Sequence, residues 1–379
     1  MKKIRKFLTK EPMLTVSVLA AIAALCITPP SKQLLTDIDW RTLGTLFMML
    51  TVLEGFKKEN IFSPLLHLAG RVRSMAGLSL FLVFAVFFSS MFVTNDVSLL
   101  IFVPLTMLLF RAGGKERCIL PVLAMENIAA VRGSLLTPFG SPQNLFIFGK
   151  SGVTAGHFIG YMFPIWILSG VLLAGFVLLL YRRDIREQTG ICTADLIPAQ
   201  TGRRAQRIAY LVLFALVLWT IVSRTPLWGY AALIVAAAVC ILDRRLLLKT
   251  DYVLLLTFLC FFIFSSSVAS NETISALLRR ALDGHEYVGS ILLSQVISNV
   301  PAAIVLYPFA VNRGALLYGL DSAGLCTLIG SLASVINYRL YVREYPGKGL
   351  AFIRVFTAVS LAFFALVVLP GYFLSRTPL

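Results

Sequence analysis

The chain has 379 residues, of which 58% are hydrophobic and only 14% charged. Soluble domains run at roughly 45–50% apolar and roughly 25% charged residues, so the composition excludes a soluble globular enzyme. A net charge of +16 would suggest nucleic acid in a soluble protein; in a membrane protein its meaning lies in where the basic residues fall between apolar runs.

Apolar runs bounded by Pro, Gly or charge fall, in chain order, at about 13–29, 40–55, 76–93, 97–110, 118–136, 157–180, 208–222, 227–242, 251–268, 286–298, 301–311, 316–342 and 351–374. The first follows five basic residues in positions 1–12 and has the outline of a signal peptide. No small-x-small cleavage site follows it, so it reads as an uncleaved first helix. Two runs are too short to cross a membrane. Residues 97–110 make about 21 Å of helix and 287–297 about 16 Å, against a hydrocarbon core of roughly 30 Å. Each abuts its neighbour at a polar joint, Thr94-Asn95-Asp96 or Ser298-Asn299. Such a pair predicts a re-entrant hairpin, whose irregular tip must be buried in protein or line an aqueous cavity.

Nine full crossings remain. Counted from an inner N-terminus, 24 Lys and Arg fall in inner segments and eight in outer ones, with Arg132 and Arg354 inside spans. The positive-inside rule then predicts a multi-pass protein of the plasma membrane (the inner membrane in a bacterium) with a cytoplasmic N-terminus.

Four features recur in order. Asp39-Trp40 opening a span, an amphipathic arm (Ile61, Leu65, Leu68, Val72), the tip at Asn95 and Thr137-Pro138-Phe139-Gly140-Ser141 form one series. Asp251-Tyr252, an arm (Ile274, Leu277, Leu278, Ala281), the tip at Asn299 and Thr327-Leu328-Ile329-Gly330-Ser331 form the other. The predicted fold class is an all-α polytopic membrane protein: an inverted repeat with two re-entrant hairpins and two broken helices. It forms one integral membrane domain over 1–379. Repeat 1 covers about 37–180, a linker loop 181–207, helices 208–242, and repeat 2 about 250–374.

Polar residues at membrane depth carry the chemistry. Thr94, Asn95, Asp96, Ser298 and Asn299 offer side-chain donors and acceptors beside the exposed N–H groups of a following helix, and are the candidate substrate contacts. Asp96 either caps that helix or handles a cation or proton, since a carboxylate at this depth costs about 2.5–3.5 kcal/mol on insertion scales. In 132–144, two Pro and two Gly exclude a continuous helix. The freed carbonyls with Ser134, Thr137, Gly140, Ser141 and Asn144 form an oxygen-rich site suited to sodium, or else a packing kink. Thr327, Gly330 and Ser331 are its weaker mate, and Asp96 joins the ion-coupling set. Glu126 and Arg132 are possible charge partners: Arg132 either neutralises Asp96 or Glu126, or contacts an anionic substrate. Glu54 reads as interfacial. The three histidines (His67, His157, His285) fall in loops or arms, and the six cysteines show no metal-ligand or disulfide spacing. No catalytic acid–base cluster or phosphate loop is present, so the chemistry on offer is binding.

With its Asn-containing tips and its Thr137-Pro138-Phe139-Gly140-Ser141-Pro142-Gln143-Asn144 break, nearly the whole chain resembles the ion transporter superfamily. That group holds the divalent anion/sodium symporters, citrate transporter-like permeases, arsenite permeases and related sodium/proton antiporters. The resemblance implies a homodimer, with a scaffold domain and a transport domain that moves in elevator fashion. It also implies substrate contacts at Thr94, Asn95, Ser298 and Asn299, with the breaks holding sodium where sodium is the coupling ion. Asp96 and Val300 depart from the dicarboxylate pattern. Thr94-Asn95-Asp96 looks more like the arsenite permease and antiporter branches, and an acid at the tip repels a carboxylate substrate unless protonated or ion-bound.

The expected function is a secondary active transporter and no enzyme. It moves a small anionic or inorganic substrate across the lipid bilayer by alternating access, with sodium or protons as coupling ion, no organic cofactor and no nucleic acid partner. A sodium/proton antiporter or an arsenite-type efflux permease is the alternative on the same fold.

Overall fold

The computed structural model describes residues 12–28, 32–61, 68–69, 72–182, 204–377 and 379. The basic segment 1–11, Leu65 and His67 of the first arm, and positions 183–203 of the linker lie outside the described residues. The described elements are all helices. The first series comprises α1 (Pro12–Ile27), α2 (Lys32–Asp37), α3 (Trp40–Lys58), a hairpin of α4 (Met75–Val93) and α5 (Asn95–Ala112), a broken helix of α6 (Ile119–Gly133) and α7 (Pro142–Ser151), and α8 (Ala155–Leu180). Then come α9 (Arg204–Ser223) and α10 (Trp228–Lys249). The second series has α11 (Tyr252–Ala269), α12 (Glu272–Leu282), a hairpin of α13 (Glu286–Ile297) and α14 (Asn299–Leu306), a broken helix of α15 (Arg313–Ala323) and α16 (Leu332–Glu344), and α17 (Gly349–Leu374).

Among the described residues seven helices are long and apolar enough to cross a membrane. α8 and α17, at 26 residues each, are about 39 Å long. Large apolar side chains such as Val171, Leu233, Ile241, Leu369 and Phe373 stand exposed, as lipid-facing surface requires.

Contacts group the loops by face as the charge count predicts. On the basic face Arg111, ending α5, meets Glu344, ending α16 (3.1 Å), and Lys58 meets Asp243 (2.9 Å). On the opposite face Lys150 lies 3.6 Å from Asp39, the Tyr161 hydroxyl donates to the Thr377 carbonyl (2.9 Å), and the Asn312 amide donates to the Ser375 carbonyl (3.1 Å). Five crossings (α3, α6–α7, α8, α9 and α10) separate the start of α3 from that of α11. The number is odd, so the second series runs inverted.

The backbone repeats closely. Asp39 caps α3 by accepting from the Thr42 amide (3.0 Å), and Asp251 caps α11 by accepting from the Leu254 amide (2.9 Å). Both hairpins turn on one residue: Thr94 has φ 72°, ψ 156°, and Ser298 has φ 70°, ψ 158°. That region belongs essentially to glycine and costs of order 1–3 kcal/mol for other residues, yet it recurs at both tips. Each break is a Thr-x-x-Gly turn in which the Gly amide donates to the Thr carbonyl, Gly140 to Thr137 (3.3 Å) and Gly330 to Thr327 (3.2 Å). An extended Ser follows (Ser141 φ −147°, Ser331 φ −145°) and starts the second half-helix. A Cβ on Gly140 would sit 2.1 Å from the Ser134 carbonyl oxygen, and one on Gly330 2.3 Å from that of Ala323. Both breaks fold back onto the helix they interrupt, and only glycine fits.

Three expectations change. The limbs α4 and α5 have 19 and 18 residues, longer than their apolar runs. Asn95 and Asp96 enter the helix at one end, and Arg111, stacked over Tyr345 at 4.4 Å, extends it at the other. The linker already turns helical at Arg204, since Arg, Ala and Gln are good helix formers. The predicted inner loop 243–250 is a helical continuation after a kink at Asp243 (φ −164°), whose side chain accepts from the Arg245 amide and restarts the helix.

Candidate transport site

Both hairpin tips lie against the breaks of buried helices, although α4 and α5 are each long and apolar enough to cross a membrane. The Thr137 hydroxyl donates to the Met91 carbonyl (2.5 Å), holding the first break to the first tip. The Asn299 amide donates to the Gly330 carbonyl (3.1 Å), holding the second tip to the second break. The repeats then cross over: α5 packs on α16, and α14 packs on α7.

Thr94, Asn95, Ser298 and Asn299 are all nearly buried. Asn95 spends its side-chain oxygen on the Asp96 amide (2.9 Å). Asp96 does not cap: its Oδ1 is buried with no hydrogen-bond partner, and it lines a cavity of about 480 Å³. Thr94, Phe139 and Ser141 share that cavity, with α3 (Leu46 to Lys57) forming the facing wall and Lys249 to Leu254 also lining it. It reaches the basic face past Glu54 and Lys57, which pair at 2.5 Å. The sequence brought Glu54 no further than the interface; the fold makes it part of this cavity wall.

The two hairpins sit differently. α14 packs directly on α11, whereas the cavity separates the first tip from α3.

The breaks also differ. At the first, Ser141 Oγ and Asn144 Oδ1 are buried without a partner, while Asn144 Nδ2 donates to the Leu135 carbonyl (3.3 Å). Ser134 bonds back to the Val131 carbonyl (3.2 Å). At the second, Gln295 of α13 fills the break: its amide nitrogen donates to the Ala323 carbonyl (3.1 Å) and its oxygen accepts from Thr327 (2.8 Å). Ser298 Oγ and Asn299 Nδ2 stay unpaired. Buried polar groups are ordinarily satisfied, so the unpaired atoms around the tips and the first break are candidate contacts for a polar ligand or ion.

The structure separates Arg132 from its expected partners. Arg132 is buried; its Nε donates to Ser169 (2.9 Å) and its Nη1 to the Asp321 carbonyl (3.4 Å). Glu126 instead accepts from Thr106 on α5. Asp321 is the residue the sequence reading missed. Its carboxylate accepts from Gln143 (3.1 Å), so Arg132, Gln143 and Asp321 tie the two broken helices together behind the breaks. Asn127 to Ser334 (3.0 Å) and Asn337 to the Leu123 carbonyl (2.8 Å) pin α6 to α16. One signal was available. A lone acid in the apolar run 316–342 carries the same insertion cost that singled out Asp96.

Comparisons with known proteins bear on the fold and the family. The chain is similar over 96% of both chains, with a TM-score of 0.59 and 15% identity, to the solved structure titled "Crystal structure of the Alcanivorax borkumensis YdaH transporter reveals an unusual topology". At that identity the likeness shows the fold. It is 33% identical over 314 residues, 80% of each chain, to the inner membrane protein YbiR of Escherichia coli (strain K12). It is 28% identical over 304 residues, 80% of this chain and 81% of the relative, to the uncharacterized transporter MJ0456 of Methanocaldococcus jannaschii. The family model described as citrate transporter matches residues 7–325, from the first helix through both hairpins to the edge of the second break. A match of that length places the chain in the citrate transporter family, as a multi-pass membrane transporter.

Proposed function

We propose that the chain is a secondary active transporter of the inner membrane that moves a small anion by alternating access, driven by sodium or protons. One observation carries the reading: two equivalent hairpin tips rest on equivalent breaks, but a cavity opens beside one tip while a helix covers the other. In an inverted repeat, exchanging the two environments produces the same molecule open to the opposite face. With the N-terminus cytoplasmic, the arrangement described is the inward-open one. In this reading α4–α8 and α13–α17 move against α1–α3 and α9–α12 in elevator fashion, within a homodimer. Substrate binds at Thr94, Asp96, Ser298 and Asn299, and the coupling ion at Ser141 and Asn144.

Asp96 favours a second reading, a sodium/proton antiporter or arsenite-type efflux permease, because a carboxylate facing the cavity exchanges cations more readily than it holds anions. Uptake of candidate anions into proteoliposomes, with an imposed sodium or pH gradient, separates the two. Anion flux that follows either gradient supports the first; sodium-driven proton flux without anion supports the second. Asn299→Ala is expected to lower transport by about tenfold or more at unchanged membrane expression, and full transport in that variant would overturn the site.

A further inference from the structure

A second cavity, of about 200 Å³, lies on the opposite face from the first, and Leu145 lines both. Three cations from three elements converge on it: Arg41 in the first turn of α3, Lys150 in the last turn of α7, and Arg224 in the turn between α9 and α10. One carboxylate joins them, and it is engaged. Asp39 accepts from the Thr42 amide (3.0 Å) and the Thr42 hydroxyl (2.8 Å), leaving Lys150 at 3.6 Å. Arg41 Nη2 and Arg224 Nε are buried with no hydrogen-bond partner. Arg224 is held in place by stacking over the Phe148 ring at 4.0 Å and by donating Nη2 to the Phe148 carbonyl. It adopts φ 49° in its turn. Burial, and then the like charge of Arg41, push this guanidinium below its ordinary value. Three cations against one carboxylate leave two positive charges in excess at a partly buried point, which is costly unless an anion completes the set.

We propose that this cavity is an anion site for a small oxyanion, held by Arg41, Lys150 and Arg224. Guanidinium forks bind phosphate-like and carboxylate groups in bidentate fashion. The volume falls below the roughly 300–1,000 Å³ of pockets for organic ligands, so it suits an inorganic oxyanion or the phosphate of a lipid headgroup. The bound oxyanion bridges α3 and the α9–α10 turn to α7. If the alternating-access reading holds, it therefore braces the arrangement in which this face is closed. The binding itself does not depend on that reading.

The test is thermal unfolding of the purified full chain in detergent, titrated with inorganic phosphate at constant ionic strength against chloride. Phosphate is expected to raise the unfolding temperature of the wild type saturably. The double variant Arg41→Gln/Lys150→Gln is expected to lose that shift. Should it fail to fold, Arg41→Lys, which keeps the charge but not the fork, is expected to weaken the apparent phosphate affinity by about tenfold. Native mass spectrometry separates the sources. A phospholipid retained by the wild type and lost in the variant identifies a headgroup, whereas saturation by phosphate in delipidated protein identifies a free ion. An equal phosphate shift in wild type and variants, or a shift that chloride reproduces, overturns the proposal. Transport tests the brace separately: phosphate on the outer side should slow turnover of the wild type and not of the variant, and equal turnover would remove the brace while leaving the site.

Discussion

The two hairpins share a skeleton and differ in surroundings. Thr94 and Ser298 agree within 2° in both backbone angles, and each tip is bonded to a Thr-x-x-Gly break. Both keep unpaired polar atoms, but around the first lie a carboxylate and a cavity, and around the second lie Val300, a glutamine seated in the break and a packed helix. The two halves thus share backbone geometry and differ in side-chain chemistry. If the first break binds the coupling ion, Gln295 stands at the second where an ion would otherwise satisfy the carbonyls. In that case the protein amide does there what the cation would do in the mate.

The comparison can be broken in three places. The largest effect is expected from Gly140→Ala and Gly330→Ala, whose new Cβ atoms would meet backbone carbonyls at 2.1 and 2.3 Å. Each should destabilise by about 3 kcal/mol or more in thermal unfolding. Gly160→Ala, which meets nothing within 4 Å, should not. A loss confined to one break would end the equivalence. Next, Asp96→Asn should reduce ion-coupled flux by about tenfold with little change in stability, and Val300→Asp should not restore it; full rescue would mean the halves are chemically interchangeable. Smallest is Gln295→Ala, expected to cost about 1 kcal/mol through lost hydrogen bonds. It should also make the variant's stability respond to sodium more than the wild type's does. An unchanged sodium response would sink the idea that the amide stands in for an ion.

Much of this was legible along the chain because it is local. A polar joint between apolar runs, a Pro- and Gly-rich break and an Asp before an aromatic at a span's start are each written in a few adjacent residues. Pairings across the fold were not. Arg132 finds Asp321, 189 positions away, and no spacing rule connects them; proximity in sequence suggested Glu126 instead. The role of Asn95 was hidden for another reason. Whether its oxygen caps a helix or faces a ligand depends on a side-chain rotation, and the structure shows it on the Asp96 amide. The cavity beside Asp96 depends on how far α3 stands from the first tip, a rigid-body quantity that no local pattern encodes.

Among the described residues, only Leu145 lines both cavities. Its buried side chain therefore stands between a cavity on one face and a cavity on the other. A membrane voltage falls across low-dielectric material far more than across hydrated or charged cavities, so on the alternating-access reading the field would be strongest between these two. If the alternating-access reading holds, a charge carried past Leu145 would traverse much of the potential, worth about 2.3 kcal/mol per elementary charge per 100 mV. A short shift of helices would then deliver much of the electrical work of transport.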